Sequence, residues 1–292
     1  MNHLRKKVKV AVAMPVFNRR EMTLQGLRSM FRVDQEGIDL RMYVTDDGSA
    51  DGTGAAIRGE FPEVKLINGD GSLHYAGGTN RALASALKWN PDFILVANDD
   101  AVFHSRSISN LVKTASQNRR SIVGALLLLW NEPHRVFQVD PKWQTSEGGW
   151  IFPDYVTLEN VHNGPFEVDA LVGNCVLIPA AAVVQCGLMD ERRFPFGWGD
   201  AQYFERLRKS GWKLLVDPDA LVWCEPNTDP TPLHRKRISS ILWALFFDRR
   251  HPVNLQRQFV ARWYSAPSKP QAVTAFLFYL LVMSKRAIEH RS

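Results

Sequence analysis

Apolar and polar segments alternate along the first hundred residues in a pattern that predicts strands and helices in turn. Apolar runs at residues 8–16, 40–45, 64–68 and 93–97 have the length of buried strands. Between them we predict helices at residues 20–32, 53–61 and 79–88. Such alternation is typical of βαβ units. We therefore predict an α/β fold with a mostly parallel central sheet flanked by helices.

The second half of the chain is less regular. We predict helices at residues 107–117, 180–185 and 200–210, and strands at 122–130, 168–171, 175–178, 213–216 and 221–223. Residues 131–165 are rich in Gly, Pro and Trp and show no clear periodicity. They form either a mobile loop over a ligand site or an ordinary irregular connection, and the pattern does not decide between the two.

Composition is that of an ordinary soluble protein, since 45% of the 292 residues are hydrophobic and 23% are charged. Cys175, Cys186 and Cys224 form neither a disulfide framework nor a zinc signature, and they suit a reducing compartment. The basic residues at the start precede a short apolar run that Pro15 interrupts, with no small-residue cleavage site. We interpret this run as a first strand and expect a cytoplasmic protein.

The net charge of +6 is unevenly distributed. Residues 231–292 hold 11 Lys and Arg against 2 Asp and Glu, which leaves a net charge of −3 for residues 1–230. A basic tail predicts an anionic partner, either nucleic acid or a membrane surface. Its apolar runs at residues 238–247 and 273–283 are shorter than the about 20 residues that span a bilayer. We expect the first run to pack on the body of the protein. We expect the second to lie on an anionic membrane surface, and we predict no nucleic-acid partner.

Acidic residues follow the predicted strands at three places: Asp46-Asp47, Asp99-Asp100 and Asp200. In open α/β sheets ligands bind outside the carboxyl ends of the strands. Two adjacent carboxylates repel each other, and a divalent cation relieves that cost. The alternative is a surface turn or helix cap, for which Asp is also preferred.

The glycine-rich segment Gly77-Gly78-Thr79-Asn80 is predicted to open a helix, and free N–H groups there would hold an anion. The segment lacks the Lys-Ser/Thr of a P-loop and the three glycines of a dinucleotide site. On its own it is therefore weak evidence for a nucleotide.

Together these segments resemble the family 2 glycosyltransferases. The resemblance covers residues 8–227 and rests on motifs at residues 13–19, 46–53, 76–83, 95–100, 173–190 and 199–212. It implies a GT-A fold over residues 1–230, with a nucleotide-binding half at 1–104 and an acceptor half at 105–230. Residues 231–292 would be a basic helical extension.

The resemblance also implies roles for individual residues. Pro15, Phe17 and Asp47 would line the base pocket, with Asp47 accepting the N3–H of a pyrimidine. Asp99 would lie near the ribose, and Asp100 would bind Mg²⁺ or Mn²⁺ on the diphosphate. Gly78 and Asn80 would complete the nucleotide-sugar site. Asp200 would be the general base.

The implied activity is inverting transfer of a sugar from a nucleotide-diphospho-sugar to a saccharide or lipid-linked acceptor, as in rhamnosyltransferase-like or cell-wall polysaccharide enzymes. The protein would then be cytoplasmic and peripheral on the inner face of the membrane. Nucleotidyl transfer is one alternative, although residues 14–21 contain no glycine. A non-catalytic nucleotide-sugar-binding protein is the other.

The chain departs from the family pattern at two positions. Gly199 stands where many members have Glu, and Cys224 stands where many have a His that sometimes binds metal. The stretch Cys224-Glu225-Pro226-Asn227 resembles a subgroup with Cys and Asn there. A buried free Cys often acts as a small hydrophobe, so both a structural and a metal role stay open for Cys224.

Overall fold

The computed structural model describes residues 6–225 and 238–289. The chain divides into two compact units. The first contains residues 1–140 and 153–225, and the second contains residues 141–152 and 226–292. The second unit therefore takes in a short internal segment as well as the C-terminal extension.

The elements follow one another in an alternating order. The first part contains β1 (Val8–Val16), α1 (Arg20–Phe31), β2 (Ile38–Asp46), α2 (Thr53–Glu60), β3 (Lys65–Asn68), α3 (His74–Leu87), β4 (Phe93–Ala97), β5 (Val102–Phe103), α4 (Ser107–Gln117) and β6 (Ser121–Leu129). The rest contains β7 (Lys142–Gln144), β8 (Gly149–Ile151), β9 (Phe166–Glu167), β10 (Cys175–Pro179), α5 (Ala180–Cys186), α6 (Gly199–Lys209), β11 (Lys213–Cys224), α7 (Ile238–Phe246), α8 (Leu255–Ser265) and α9 (Lys269–Glu289).

The central sheet has the strand order β3-β2-β1-β4-β10-β6-β11-β5, with β9 paired to β11. Neighbours β1–β2, β1–β4, β2–β3 and β6–β11 are parallel, whereas β10 is antiparallel to both β4 and β6. The carboxyl ends of β1, β2, β4, β6 and β11 therefore lie at one edge. Because β10 runs the other way, its first residue, Cys175, pairs with Ala97 at that same edge. The predicted α/β class with a mostly parallel sheet is confirmed.

Hydrophobic layers cover both faces of the sheet, because its central strands are buried on both sides. One layer includes Leu27 of α1 and Leu111 of α4, and the other includes Leu83 of α3 and Phe204 of α6. All nine residues of β6 are buried. Continuous apolar runs, rather than alternating ones, are what a doubly covered parallel sheet requires.

Among the predicted elements, three depart most from the sequence prediction. α3 begins at His74 instead of residue 79, so Gly78 lies inside the helix. A Cβ on Gly78 would stand 2.9 Å from Cβ of Pro15, and glycine thus permits α3 to pack closely on β1. The strand predicted at 168–171 is instead β9, two residues earlier.

The third difference is β11, a single strand in which the register shifts between Asp217 and Leu221. Pro218 predicts an interruption of the strand, but a β-bulge accommodates the proline. The buried carboxylate of Asp217 helps to hold this bulge, because it accepts hydrogen bonds from Thr114 Oγ1 at 2.6 Å and from the Asp219 N–H at 3.0 Å.

The second unit is a helical cluster with a small hairpin, β7–β8. Phe259 of α8 packs edge-on against Phe276 of α9, with ring centroids 5.3 Å apart. Buried Arg262 donates from Nε to the Gly148 carbonyl at 2.6 Å and lies over the Tyr279 ring. The predicted helical tail is present. Of the helices in residues 6–225 and 238–289, none has the length and apolar character needed to cross a membrane.

Candidate active site

The acidic pair Asp99-Asp100 lies at the carboxyl edge of the sheet, directly after β4 and Asn98. The Asn98 N–H donates to the Asn174 carbonyl at 3.1 Å, so the segment before β10 supports the turn. Both side chains are buried, with 7% of the Asp99 side chain and 1% of the Asp100 side chain exposed. These carboxylates are therefore not an ordinary solvated turn.

Arg19 is the cation that faces this pair. Its guanidinium donates from Nη1 to Asp99 Oδ1 at 2.9 Å, and its Nη2 lies 3.8 Å from Asp100 Oδ2. The same Nη2 lies 3.8 Å from Oε2 of Glu225, at the end of β11. Three carboxylates from two distant parts of the chain, residues 99–100 and residue 225, thus surround one guanidinium.

Burial controls the ionisation of the acidic pair. It raises the pKa of Asp99 to about 6, because the opposing effect of Arg19 is smaller and the neighbouring Asp100 charge adds to the rise. Burial also raises the pKa of Asp100, again partly offset by Arg19. A second cation would lower both values, since it favours the ionised carboxylates.

The oxygen atoms of this turn fit a hard divalent cation. Asp100 Oδ1 and Asn98 Oδ1 are buried and have no hydrogen-bond partner among the described residues. Within the part of the chain that the structure describes, no three His, Cys, Asp or Glu side chains converge as a complete metal site. Mg²⁺-type sites commonly use one or two carboxylates together with substrate phosphates, and this donor set suits that arrangement.

Asp200 lies in the first turn of α6, at the same end of the sheet. Its Oδ2 accepts the Gly173 N–H at 2.9 Å. Burial raises the pKa of Asp200, and hydrogen bonds from the Ala201 and Gly173 N–H groups partly oppose the rise. A Cβ on Gly173 would stand 2.6 Å from Cβ of Asp200 and 2.8 Å from the Tyr75 hydroxyl. Only glycine at this position leaves room for both side chains.

Tyr75, near the start of α3, lies beside the segment that binds Asp200. Its hydroxyl lies 3.4 Å from the Gly173 carbonyl, to which it donates. Burial raises the pKa of Tyr75 well above its usual range, and the charges of Asp200 and Asp100 raise it further. Tyr75 and Asp200 therefore both bind Gly173, the one at its carbonyl and the other at its N–H.

A family model described as "Glycosyltransferase like family 2" matches residues 8–239, most of the chain. The chain belongs to the family 2 glycosyltransferases. Two curated relatives, both named N-acetylglucosaminyl-diphospho-decaprenol L-rhamnosyltransferase and from two strains of Mycobacterium tuberculosis, are 30% identical over 202 residues. The matched region covers 62% of this chain and 65% of each relative, slightly less than two thirds of the relatives' length.

Solved structures with little sequence identity share the fold. GalNAc-T7, in a complex with UDP, GalNAc and Mn²⁺, has a TM-score of 0.63 at 13% identity over 77% of this chain and 45% of its own. A mannosyltransferase from Pyrobaculum calidifontis, with GDP-Man and Mn²⁺, has a TM-score of 0.56 at 14% identity over 97% and 80%. S. aureus TarS has a TM-score of 0.56 at 13% identity over 94% and 71%. The glycosyltransferase therefore has the GT-A fold.

The residues predicted for the base pocket lie around the carboxyl end of β1. Phe17 is half exposed and available for stacking. Asp47 is buried, and its two oxygens accept N–H groups of Gly71 at 2.9 Å, Leu73 at 3.2 Å and His74 at 2.9 Å. In this glycosyltransferase Asp47 thus holds the loop before α3, and its contact with a pyrimidine stays a prediction.

The two predicted residues within α3 contact other parts of the protein: Gly78 packs on β1, and Asn80 forms hydrogen bonds with residues 189 and 191. Because the helix begins at His74, Gly78 lies in its second turn and packs on Pro15, so its N–H is not one of the free N–H groups at a helix start. Asn80 donates to the Met189 carbonyl at 2.9 Å and to Glu191 Oε2 at 2.7 Å, and accepts the Met189 N–H at 2.9 Å. Both ends of the Asn80 side-chain amide are therefore engaged, and the contact of Gly78 and Asn80 with a nucleotide sugar stays a prediction.

Cys224 is buried at the end of β11, and its thiol contacts the Leu128 carbonyl at 3.7 Å. Burial raises the pKa of Cys224 to about 12, and the Asp100 charge adds to the rise. A buried thiol that contacts a main-chain carbonyl behaves as a small hydrophobe, so these surroundings favour the structural role. Asn227 lies outside the described residues.

The sequence interpretation did not assign Arg19, Tyr75 or Glu225 to the site. Arg19 belongs to the first family-like motif, and Tyr75 directly precedes the third, so their positions beside known motifs were the only available signal. Glu225 belongs to the stretch at residues 224–227 that resembles a family subgroup, but the resemblance there concerns Cys and Asn and assigns no role to the Glu.

Proposed function

We propose that this glycosyltransferase moves a sugar, with inversion, from a nucleotide-diphospho-sugar to a hydroxyl of a saccharide or lipid-linked acceptor. The observation that carries the proposal is that both acids lie beside the segment before β10: the Gly173 N–H donates to Asp200 at 2.9 Å, and the Asn98 N–H, two residues before Asp100, donates to the Asn174 carbonyl at 3.1 Å. It supports one reaction site that has a diphosphate-binding acid and a second acid available for proton transfer.

Asp200 is the general base in this proposal. The Gly173 N–H orients its carboxylate, and its raised pKa makes it a better proton acceptor than an ordinary Asp. As the acceptor oxygen forms a bond to the anomeric carbon, the bond from that carbon to the diphosphate oxygen breaks. The hydroxyl proton passes to Asp200, and the nucleoside diphosphate leaves with the bonding electrons. Attack from the back side inverts the anomeric centre.

Asp100 is the residue that would hold Mg²⁺ or Mn²⁺, and the Asn98 side-chain oxygen is a further candidate ligand. The cation supplies positive charge that stabilises the departing diphosphate. Asp99 would lie near the ribose and Phe17 would stack on the base, for which we propose a pyrimidine. Exposure of the Phe17 ring supports this stacking.

L-Rhamnose and a lipid diphosphate-linked acceptor are the first candidates for the substrates, because the curated relatives are named for them. The purified full chain should be tested with a panel of uridine, thymidine and guanosine diphosphate sugars and a short-chain lipid diphosphate-linked saccharide. We expect nucleoside diphosphate release that requires both acceptor and divalent cation, and a product of inverted anomeric configuration. Retained configuration, or no transfer with any member of the panel, would refute the proposal.

We further propose that the C-terminal extension docks on the anionic inner face of the membrane. In the run at residues 238–247, Leu242, Trp243, Phe246 and Phe247 are 49–66% exposed. They recur at helical spacing along α7 and its end, and so form one apolar face.

The second run presents a similar face. Val273, Leu277 and Leu281 recur every four residues on α9 and are 42–64% exposed. Exposed Arg249 and Arg250 follow α7. Interfacial helices combine apolar burial with attraction of basic residues to anionic lipids, worth about 1 kcal/mol per residue near the surface. Both apolar faces therefore support interfacial docking.

Co-sedimentation of the full chain with phosphatidylglycerol-containing vesicles tests this docking. We expect the double variant Trp243→Ser, Phe247→Ser to lose roughly tenfold or more in vesicle affinity. Val184→Ser is the matched control, because Val184 is 72% exposed but lies in the first unit. Equal binding of the double variant and the wild type, or binding that neutral vesicles reproduce in full, would refute docking.

A further inference from the structure

The backbone of Arg19 is held at the edge of the sheet, because hydrogen bonds fix the residue on each side of it. Asn18 has a left-handed backbone with φ of 50°, and its Oδ1 accepts the Ala50 N–H at 2.7 Å. The Arg20 N–H donates to Asp51 Oδ2 at 2.9 Å. Because the loop after β2 fixes both neighbours, the Cα of Arg19 has little freedom, and its side chain is directed at the acids. Only the side chain itself is free to move.

The charges around this guanidinium do not balance. When ionised, Asp99, Asp100 and Glu225 carry three negative charges against the single positive charge of Arg19. The Arg19 side chain is 36% exposed, whereas the two Asp side chains are buried. Only the contact with Asp99 is a short hydrogen bond, and the contacts with Asp100 and Glu225 are both 3.8 Å. The guanidinium therefore neutralises only part of the negative charge of the cluster. Because two of its three contacts are long and its side chain is partly exposed, it is able to move away.

We propose that Arg19 is a built-in counter-cation that occupies the acidic cluster until the donor arrives, and that it then transfers to the donor diphosphate. This inference rests on the proposed function, since it concerns the same diphosphate site. A cation at Asp100 would lie close to Nη2 and repel the guanidinium. The diphosphate would at the same time offer it anionic oxygens of the geometry that Arg binds through two hydrogen bonds.

Two opposite effects on binding follow from this exchange. Without donor, Arg19 competes with a divalent cation for the carboxylates, so removing its charge should strengthen binding of the cation alone. With donor, Arg19 contributes hydrogen bonds to phosphate, so removing it should weaken binding of the nucleotide. A purely structural role for Arg19 predicts that both affinities fall together.

The first measurement is titration of the full chain with Mn²⁺ alone, following free Mn²⁺ by electron paramagnetic resonance. We expect Arg19→Met to bind Mn²⁺ about tenfold or more tightly than wild type, and Arg19→Lys, which keeps the charge, to stay near wild type. Arg28→Met is the matched control on α1, where Arg28 pairs with Glu60 at 2.5 Å instead. Arg19→Gln serves as a second neutral variant, with circular dichroism to confirm that each variant is folded.

The second measurement is calorimetric titration with UDP and with GDP at saturating Mn²⁺. We expect Arg19→Met to bind the preferred nucleotide about tenfold to a hundredfold more weakly, the usual loss for a hydrogen bond to a charged group. Unchanged or weaker Mn²⁺ binding by both neutral variants would overturn the inference. If the neutral variants gain Mn²⁺ affinity but the wild type transfers no sugar, the proposed function fails and the competition between Arg19 and the cation stands.

Discussion

Replacing Asp200 by Asn removes the proposed base with little change in shape. The amide oxygen is still able to accept the Gly173 N–H that now binds Oδ2 at 2.9 Å. The amide cannot accept the proton of the acceptor hydroxyl at neutral pH. Loss of a general base costs about 10²–10⁴-fold in rate, which corresponds to about 3–5 kcal/mol of transition-state stabilisation. We expect kcat to fall by that factor while affinity for the nucleotide sugar stays near the wild-type value.

Stability should change in the opposite direction from activity. Because burial raises the pKa of Asp200 above 3.8, the folded state binds more protons than the unfolded state between 3.8 and the raised pKa. The free energy of unfolding of the wild type therefore falls as pH rises through that window and stays lower above it. Asp200→Asn lacks this fall, so its Tm at pH 7.5 should equal or exceed that of the wild type.

The assay combines steady-state release of nucleoside diphosphate over pH 5–9 with thermal unfolding. Wild-type kcat should rise with pH as Asp200 ionises, and this acid limb should be absent from the residual activity of Asp200→Asn. Asp219→Asn, at an exposed carboxylate in the β11 bulge, is the control and should match the wild type. Turnover of Asp200→Asn within a few-fold of wild type would show that another group is the base. A fall in Tm of several degrees would show that the substitution acts through folding.

Two further substitutions test the surroundings of the site and the bulge. Gly173→Ala should lower kcat roughly tenfold or more with donor affinity unchanged, since its Cβ would press on Asp200 at 2.6 Å and a displacement of about 1 Å can cost about a hundredfold. Wild-type kinetics in Gly173→Ala would contradict this packing. Thr114→Val should lower the free energy of unfolding by about 1–3 kcal/mol, because Asp217 loses a buried 2.6 Å hydrogen bond, and should leave kcat unchanged. Chemical denaturation checks the stability, and an unaltered midpoint would count against a structural role for Asp217.

Local pattern predicts the alternating half of the fold well, because buried parallel strands are continuous apolar runs with clear ends. β1, β4 and α4 lie where the apolar pattern predicts them. α3 was mispredicted at its start because two adjacent glycines usually interrupt a helix, whereas here the close approach of Gly78 to Pro15 favours the helix. The course of β11 through Pro218 is likewise a tertiary effect, since its pairing with β6 continues on both sides of the bulge.

The site residues likewise fall into those that a local sequence motif identifies and those that only tertiary contacts bring together. Asp99, Asp100 and Asp200 are identifiable as candidates because each follows or opens a regular element within a family-like motif, and their roles stay predictions. The cluster around Arg19 is not identifiable in this way, because it joins residues from the ends of β1, β4 and β11, which are distant in sequence. Asp47 has a role that the sequence did not indicate, since three backbone N–H groups bind its carboxylate. Its contact with a nucleotide base stays a prediction.

The placement of residues 141–152 in the second unit has a consequence for any shortened form of the protein. A polypeptide that ends at residue 225 would keep this internal segment but lose the helices it packs on. The Gly148 carbonyl would lose Arg262 as its donor, and Gly148, whose Cβ position lies 2.9 Å from the Tyr279 backbone, would face solvent. Such a truncation would therefore expose residues 141–152, which lie between the two segments of the first unit, without the helices they pack on. If deletion of the tail abolished activity, the cause would be either the disturbed internal segment or the lost membrane docking. The deletion alone would not distinguish the two.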